Sequence, residues 1–262
     1  MRREQLQVFK DWFDSYVKSF YSNEAGLQAG IRLKEKHTAR VCKNIVYIGR
    51  SLNLKAEDLH LAEVIALFHD IGRFRQYTHY HTFNDRRSEN HAILGLRELE
   101  SAGVLSALME KEQDLIMKAI EYHNMFELPH ALESRCLLFT HLIRDADKLD
   151  ILGVFTEYYT LRNREPNPVL ESGLADTAGY SAILIENLLH QRGCSYKDVK
   201  NYNDRKLLLL SWIYDINYSY TLSEIARNNY VKKIIDLLPG TEEIQTVHGH
   251  LQAYMTSRLT AT

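Results

Sequence analysis

Residues 62–72 read Ala62-Glu-Val-Ile-Ala-Leu-Phe-His-Asp-Ile-Gly72. The apolar residues at the start of this stretch have the spacing of a buried helix. His69 and Asp70 follow directly, so an imidazole and a carboxylate lie side by side at the end of that helix. Burying such a pair is costly unless an ion or a polar partner satisfies it, and both groups are good ligands for a transition metal. The stretch therefore predicts a helical fold with a polar centre that is able to bind metal.

Helical periodicity continues along almost the whole chain, and hairpin turns of the Asn-Gly or Asp-Gly type are absent. Only four prolines occur in the 262 residues, and two of them interrupt the pattern within the segment 163–168. Apolar residues at helical spacing predict helices near residues 6–20, 27–52, 55–72, 88–99, 112–123, 133–162, 180–191, 204–220, 222–237 and 242–258. We therefore expect an all-α fold.

The chain shows no internal repeat and no linker that would demand two domains. We expect one helical domain over 1–262, with a metal-binding core at about 29–154 and a C-terminal helical extension at about 169–262. Residues 73–87 are polar, aromatic and basic, which favours a loop. Gly72 is expected to cap the preceding helix, and Ser88 to cap the next one.

The composition excludes several classes of protein. Hydrophobic residues make up 45% of the chain and the net charge is −2, so no basic surface for a nucleic acid polymer is indicated. No run of 18 apolar residues occurs, so no association with a membrane is expected. Three widely spaced cysteines favour free thiols in a reducing, cytoplasmic compartment.

Further polar residues lie on the apolar faces of the predicted helices, namely His37, His91, His123 and Asp147. Any one of these histidines could be a buried residue bonded to a carbonyl, and the aspartate could pair with Arg144 or Lys148. Six such residues on five helices, with His69 and Asp70 included, are harder to satisfy without a cation. The sequence therefore predicts that these residues converge on metal.

The order of four of these residues, His37, His69, Asp70 and Asp147, is similar to the H…HD…D motif of the HD-domain superfamily of metal-dependent phosphohydrolases. The strings that carry the resemblance are Ala66-Leu-Phe-His-Asp-Ile-Gly72 and Asp145-Ala-Asp-Lys-Leu-Asp150. The resemblance covers about 29–154. It implies an HD-type helical bundle, a divalent metal bound through those four residues, and hydrolysis of phosphate esters of nucleotides or related compounds.

Two further motifs resemble those of dinuclear members of the superfamily, namely Asn90-His-Ala-Ile-Leu-Gly95 and Glu121-Tyr-His-Asn124. The resemblance implies that His91 and His123 bind a second metal and that Asp70 bridges the two ions. The chain lacks a Gly-Tyr-Pro motif near Asp147, and Arg73 replaces the lysine that is usual after His-Asp-x-Gly. These differences argue against membership of the HD-GYP cyclic-dinucleotide phosphodiesterases but are compatible with two metals.

The expected chemistry follows from the ligands. Imidazole and carboxylate groups favour one or two ions of Mn, Fe, Co, Ni or Zn over Mg. Asp70 and Arg73 are the predicted catalytic residues, and Arg73, Arg87 and Lys148 are candidates for binding a small phosphorylated substrate, such as a nucleotide, because they are cationic.

Two other classes of function use the same fold. Some dinuclear HD proteins are mixed-valent diiron oxygenases, and oxygen consumption with a polyol or phosphonate would distinguish them. A non-catalytic HD module that binds a ligand is a further alternative, although such modules typically lose ligand residues and all six are present here. The region after Pro168 could form the face of a homodimer or cap the bundle.

Overall fold

The computed structural model describes residues 1–161, 168–171 and 173–261. This part of the chain consists of α-helices, short 3-10 turns and connecting loops, and it contains no β-strand. The prediction of an all-α fold is confirmed. Contacts within the chain group it into two compact units, Met1–Asp150 and Ile151–Thr262. The prediction of one domain over 1–262 stays a prediction.

The first unit is formed by six complete helices and the start of a seventh. These are α1 (Arg3–Lys18), α2 (Ala25–Ser51), α3 (Ala56–Phe68), α4 (Gly72–Tyr80), α5 (His91–Ala102), α6 (Glu110–Tyr122) and the first part of α7 (Ser134–Leu161). A 3-10 turn, Asp85–Arg87, lies between α4 and α5. The boundary between the two units falls within α7.

The second unit contains the end of α7 and several shorter helices. These are α8 (Pro168–Glu171), α9 (Ala182–Leu189), α10 (Tyr202–Ser211), α11 (Ser219–Arg227), α12 (Tyr230–Ile235) and α13 (Glu242–Thr260), with 3-10 turns at Tyr196–Asp198 and Trp212–Asp215. The predicted helices 204–220 and 222–237 are each longer than the helices in the structure. The 3-10 turn at Trp212–Asp215 interrupts the first, and the residues between α11 and α12 interrupt the second. The predicted break at 163–168 lies almost wholly outside the described residues.

Helix packing in the first unit brings distant parts of the sequence together. Helix α2 packs along α3, α1 packs on α3, and α6 contacts both α3 and α5. The inner face of α2 presents Val41, Ile45 and Ile48, all fully buried. Burying a side chain of this size contributes about 1.5 to 3 kcal/mol. These apolar contacts fix the positions of the helices that carry or precede the polar residues.

The interpretation of residues 73–87 as a loop was wrong for its first half, because α4 occupies Gly72–Tyr80. Phe74 and Tyr77 on this short helix are buried, and tertiary packing supplies the stability that its polar composition does not indicate. Gly72 does not cap α3, since it is the first residue of α4. A Cβ atom at Gly72 would overlap the carbonyl oxygen of His91 and the backbone of Gly95, so this glycine allows α4 and α5 to cross closely.

The start of α5 also differs from the prediction. Asn90, rather than Ser88, is the N-cap, and its side chain accepts hydrogen bonds from the backbone N–H groups of Ala92 and Ile93. Ser88 instead donates its hydroxyl to the carbonyl of Asn84. The cap places His91 at the first position of α5, with its ring directed toward the end of α3.

No helix in the described part of the chain combines the length and the apolar character needed to cross a lipid bilayer.

Candidate metal centre

The six predicted ligands come together in the structure. They lie on α2 (His37), just after α3 (His69 and Asp70), at the start of α5 (His91), just after α6 (His123) and within α7 (Asp147). The first five are buried, and the side chain of Asp147 is 19% exposed. The residues form two adjoining clusters.

The first cluster contains two imidazoles and two carboxylates. Nε2 of His37 lies 3.3 Å from Nε2 of His69. The same His37 atom lies 3.4 Å from Oδ2 of Asp70 and 3.1 Å from Oδ1 of Asp147. Nε2 of His69 lies 3.6 Å from Asp70 Oδ2 and 3.8 Å from Asp147 Oδ1. Donor atoms of His37, His69 and Asp70 all lie within 4.8 Å of one another, and Oδ1 of Asp147 adjoins both histidines.

The second cluster uses the other oxygen of Asp70. Its Oδ1 atom lies 3.3 Å from Nε2 of His91, and Nε2 of His91 lies 3.0 Å from Nε2 of His123. The rings of His69 and His123 meet edge to face with centroids 5.2 Å apart, so the clusters are in contact. Asp70 therefore belongs to both clusters, with one oxygen in each.

Carboxylates orient one histidine in each cluster. Nδ1 of His37 lies 2.7 Å from Oδ2 of Asp150, and Nδ1 of His91 lies 2.7 Å from Oδ2 of Asp85. Each Nδ1 atom therefore donates its proton outward, and each Nε2 atom faces into the cluster. An arrangement of this kind is common around metal-binding histidines because it fixes the ring and increases its basicity.

Helix carbonyls orient the other two histidines. Nδ1 of His69 donates to the carbonyl of Ala66 at 2.7 Å, and Nδ1 of His123 donates to that of Ile120 at 2.6 Å. Both acceptors lie three residues earlier, in the last turn of a helix. The end of each helix thus selects the tautomer whose Nε2 lone pair points into the cluster.

These contacts match the requirements of a bound metal. At the second cluster, the Nε2 atoms of His91 and His123 face each other as two acceptors, which is unfavourable unless a cation lies between them. At the first, Oδ1 of Asp147 is buried and receives no hydrogen bond from any described residue. Ligand atoms bound at about 2.1 Å from one transition-metal ion lie roughly 3.0 to 3.4 Å from each other, close to the separations seen here.

Electrostatics differ between the two clusters. Burial acts to lower the pKa of His37, as does the nearby Lys34. The carboxylates of Asp147, Asp150 and Asp70 outweigh both and raise the pKa of His37 to about 10. A proton on Nε2 of His37 thus occupies a position of strongly negative potential, where a metal ion would replace it.

The second cluster favours neutral imidazoles. Burial, followed by the nearby rings of His91 and His69, lowers the pKa of His123 to about 3. Burial and the charge of Arg73 also lower the pKa of His91, against the opposing effect of Asp85. Its histidines are therefore neutral at pH 7 and ready to bind metal without first losing a proton.

Two cations contact Asp70. Nζ of Lys34 lies 2.6 Å from Oδ2, and Nε of Arg73 lies 3.2 Å from Oδ1. The guanidinium group of Arg73 is held by three further acceptors, which are Oε1 of Gln76, the carbonyl of Phe83 and Oδ1 of Asp85. Burial acts to raise the pKa of Asp70, but the charges of Lys34 and Arg73 outweigh it and hold that pKa well below its usual value.

Arg144 supports the position of His123. This buried arginine donates to the backbone carbonyls of Tyr122, the last residue of α6, and of His123 and Met125, which follow it. A positive charge at the C-terminal end of a helix is favourable because the free carbonyls gather there. The contact anchors the segment that carries this ligand.

The other residues predicted to bind substrate lie in different surroundings. Arg73 is close to the centre, as described above. Lys148 is buried on α7, one residue beyond Asp147, and Arg87 is exposed at the end of the 3-10 turn that contains Asp85. Their predicted roles stay predictions.

Sequence reasoning missed several residues that support the centre, namely Lys34, Gln76, Asp85 and Asp150. Lys34 precedes His37 by three positions and Asp150 follows Asp147 by three, so each lies one helical turn from a predicted ligand. That spacing was a signal that could have identified both. Asp85 and Gln76 carry no such signal because their contacts depend on how the loop after α4 folds back.

The fold and the site together define a class of helical protein in which inward-facing His and Asp residues from several helices could hold metal. Residues 35–152 match the HD domain family, and the matched segment contains all six predicted ligands. This match agrees with the sequence resemblance to the HD-domain superfamily. Most members of this family are metal-dependent phosphohydrolases. Neither the curated proteins nor the solved structures that were compared gave a match to the chain.

Proposed function

We propose that the chain is a metal-dependent phosphohydrolase that acts on a nucleotide or another small phosphate ester and binds two transition-metal ions. The main support for this proposal is that Asp70 places one carboxylate oxygen in each cluster. Each cluster also offers two histidine Nε2 atoms. Such a donor set favours Mn, Fe, Co, Ni or Zn over Mg.

Bound ions of this kind lower the pKa of coordinated water and neutralise phosphate oxygens. The residues of the chain supply the rest of the site. Asp70 holds the two clusters at a fixed separation, while Asp85 and Asp150 keep His91 and His37 in the required orientation. Lys34 adds positive charge beside Asp70, which suits an anionic substrate.

The open side of the centre is marked by its partly exposed groups. The side chain of Asp147 is 19% exposed and that of Arg73 is 15% exposed, whereas His69 is fully buried. We expect a substrate to approach from the side of Asp147 and Arg73.

The test is phosphate release from a panel of nucleoside monophosphates, nucleoside triphosphates, cyclic dinucleotides and sugar phosphates by protein loaded with Mn²⁺ or Fe²⁺. Asp70→Ala is the inactive control, and retention of activity in that variant would contradict the proposal. Oxygen uptake is recorded in parallel with a polyol and a phosphonate. Product formation that consumes oxygen and releases no phosphate from the panel would instead establish the diiron oxygenase.

A further inference from the structure

Lys34 lies one helical turn before His37 on α2, and its ammonium group reaches into the centre. Nζ lies 2.6 Å from Oδ2 of Asp70, and the side chain is only 14% exposed. The ammonium group also lies 5.4 Å from the centre of the Phe83 ring, which is within the range of a cation–π contact. Lys34 is therefore a half-buried cation placed against a metal-ligand oxygen.

The oxygen that holds Lys34 is the one that faces the first cluster. Oδ2 of Asp70 lies 3.4 Å from Nε2 of His37 and 3.6 Å from Nε2 of His69. A cation bound by these atoms competes with the ammonium group of Lys34 for Oδ2 of Asp70. The two positive charges also repel each other because both lie against the same oxygen. Metal binding therefore weakens the contact between Lys34 and Asp70.

The contacts of Arg73 differ from those of Lys34. Three acceptors besides Asp70 hold its guanidinium group, and one of them is the carboxylate of Asp85. Arg73 thus stays in place when Oδ1 of Asp70 binds metal. Lys34 has a flexible four-carbon side chain, and an ammonium group can turn to a new acceptor at little cost in geometry.

We propose that Lys34 binds the anionic group of the substrate, and that metal binding at Asp70 releases its ammonium group for this role. The proposal rests on the proposed function, because it takes the substrate to carry a phosphate group. The proposal assigns different roles to the two cations beside Asp70. Lys34 contacts the substrate, whereas Arg73 positions the loop that carries Asp85.

The experiment measures two affinities separately in wild-type protein, Lys34→Met and Lys34→Arg. The first is the affinity of the metal-depleted protein for Mn²⁺, and the second is the affinity of the Mn²⁺-loaded protein for inorganic phosphate, both by calorimetry. The matched control is Lys36→Met, which removes an exposed lysine two residues away on the same helix.

The expected result is a loss of phosphate affinity of about tenfold or more in Lys34→Met, with Mn²⁺ affinity unchanged or increased because a competing cation is gone. Lys34→Arg should keep most of the phosphate affinity, and Lys36→Met should match wild type in both titrations. Unchanged phosphate affinity in Lys34→Met would overturn the proposal. So would a parallel loss of Mn²⁺ affinity, because Lys34 would then be organising Asp70 instead.

Circular dichroism of each variant shows whether it has folded. If Lys34→Met does not fold, a crystal structure of the wild-type protein with Mn²⁺ and phosphate decides the question. It should place Nζ of Lys34 on a phosphate oxygen and away from Asp70, and an ammonium group still bound to Asp70 would overturn the proposal.

Hydrolysis of phosphate esters is measured independently of these affinities. A protein that hydrolyses esters but binds phosphate equally well without Lys34 contradicts the role of Lys34 and leaves the proposed function intact. A protein that hydrolyses none, yet requires Lys34 to bind phosphate, contradicts the proposed function alone.

Discussion

Asp85 accepts a hydrogen bond from Nδ1 of His91 at 2.7 Å, although it belongs to the loop before α5 and not to any of the helices that carry ligands. The same carboxylate accepts from Arg73 and Gln76 on α4. Asp150 has the equivalent position at the first cluster, where it faces Nδ1 of His37 and is bound by Arg40. Each cluster thus has its own orienting carboxylate.

Asp85→Ala should weaken metal binding at the second cluster by about 10-fold to 100-fold, because the ring of His91 loses the partner that fixes it. The first cluster should be unaffected, since it does not contact Asp85. Titration of the metal-depleted protein with Mn²⁺ should therefore show one tight and one weakened ion per chain. Two unchanged binding events would show that Asp85 does not orient His91.

Asp150→Ala should have the complementary effect. It removes the acceptor of His37 and leaves Arg40 without its partner, so the first cluster should lose about 10-fold to 100-fold in affinity. The second cluster should keep its affinity in the same titration. The two variants control for each other, and equal weakening of both ions by either one would indicate a general loss of structure.

Asp70→Ala should remove both ions, whereas His123→Ala should remove only one. Asp70 supplies an oxygen to each cluster, but His123 contacts only the second. Elemental mass spectrometry of the purified variants gives the number of ions per chain, which should fall from near two in wild type to near zero and near one. A loss of only one ion from Asp70→Ala would contradict the bridging position.

The fold could largely be predicted because its long helices carry regular apolar faces. Helix α2 was expected at 27–52 and occupies Ala25–Ser51, and the helix expected at 133–162 occupies Ser134–Leu161. Helix α4 was missed because its buried residues are few and its surface is basic. Helix α4 is stabilised by packing against α5 and α2, and contacts between distant segments leave no signal in the local sequence.

The six predicted ligands could be selected from the sequence because each lies at helical spacing from apolar residues, and the structure brings them together. Their supporting residues could be found only in part. Asp150 lies on the same face as Asp147 and was within reach of sequence reasoning. The contact between Lys34 and Asp70 joins residues 36 positions apart, and its length depends on how α2 packs along α3.

Gly72→Ala should destabilise the protein by about 1 to 3 kcal/mol, because the added methyl group overlaps backbone atoms that cannot move without separating α4 from α5. Unfolding by guanidinium in the presence of a chelator measures the change without a contribution from bound metal. Gly249→Ala is the control, since this exposed helical glycine of α13 has no atom near its added Cβ. That variant should be stabilised by up to about 1 kcal/mol, and equal effects in both would contradict the close crossing.

The two clusters should respond differently to pH. His37 has a pKa raised to about 10 in the absence of metal, so below that value an ion must displace a proton from the first cluster. Apparent affinity there should rise about tenfold for each pH unit between 6.5 and 8.5. His123, with its pKa lowered to about 3, is already neutral in this range, as is His91. Affinity at the second cluster should therefore change little.

Calorimetry in buffers of different ionisation enthalpy measures the protons released on binding. We expect about one proton for each ion at the first cluster and close to none at the second. The Asp85→Ala variant isolates the first cluster for this measurement. Its second cluster binds metal weakly, and the substitution does not alter His37 or the carboxylates around it. An affinity of the first cluster that is flat from pH 6.5 to 8.5, without proton release, would show that His37 is neutral before metal binds. The proton and the metal ion would then not compete for Nε2.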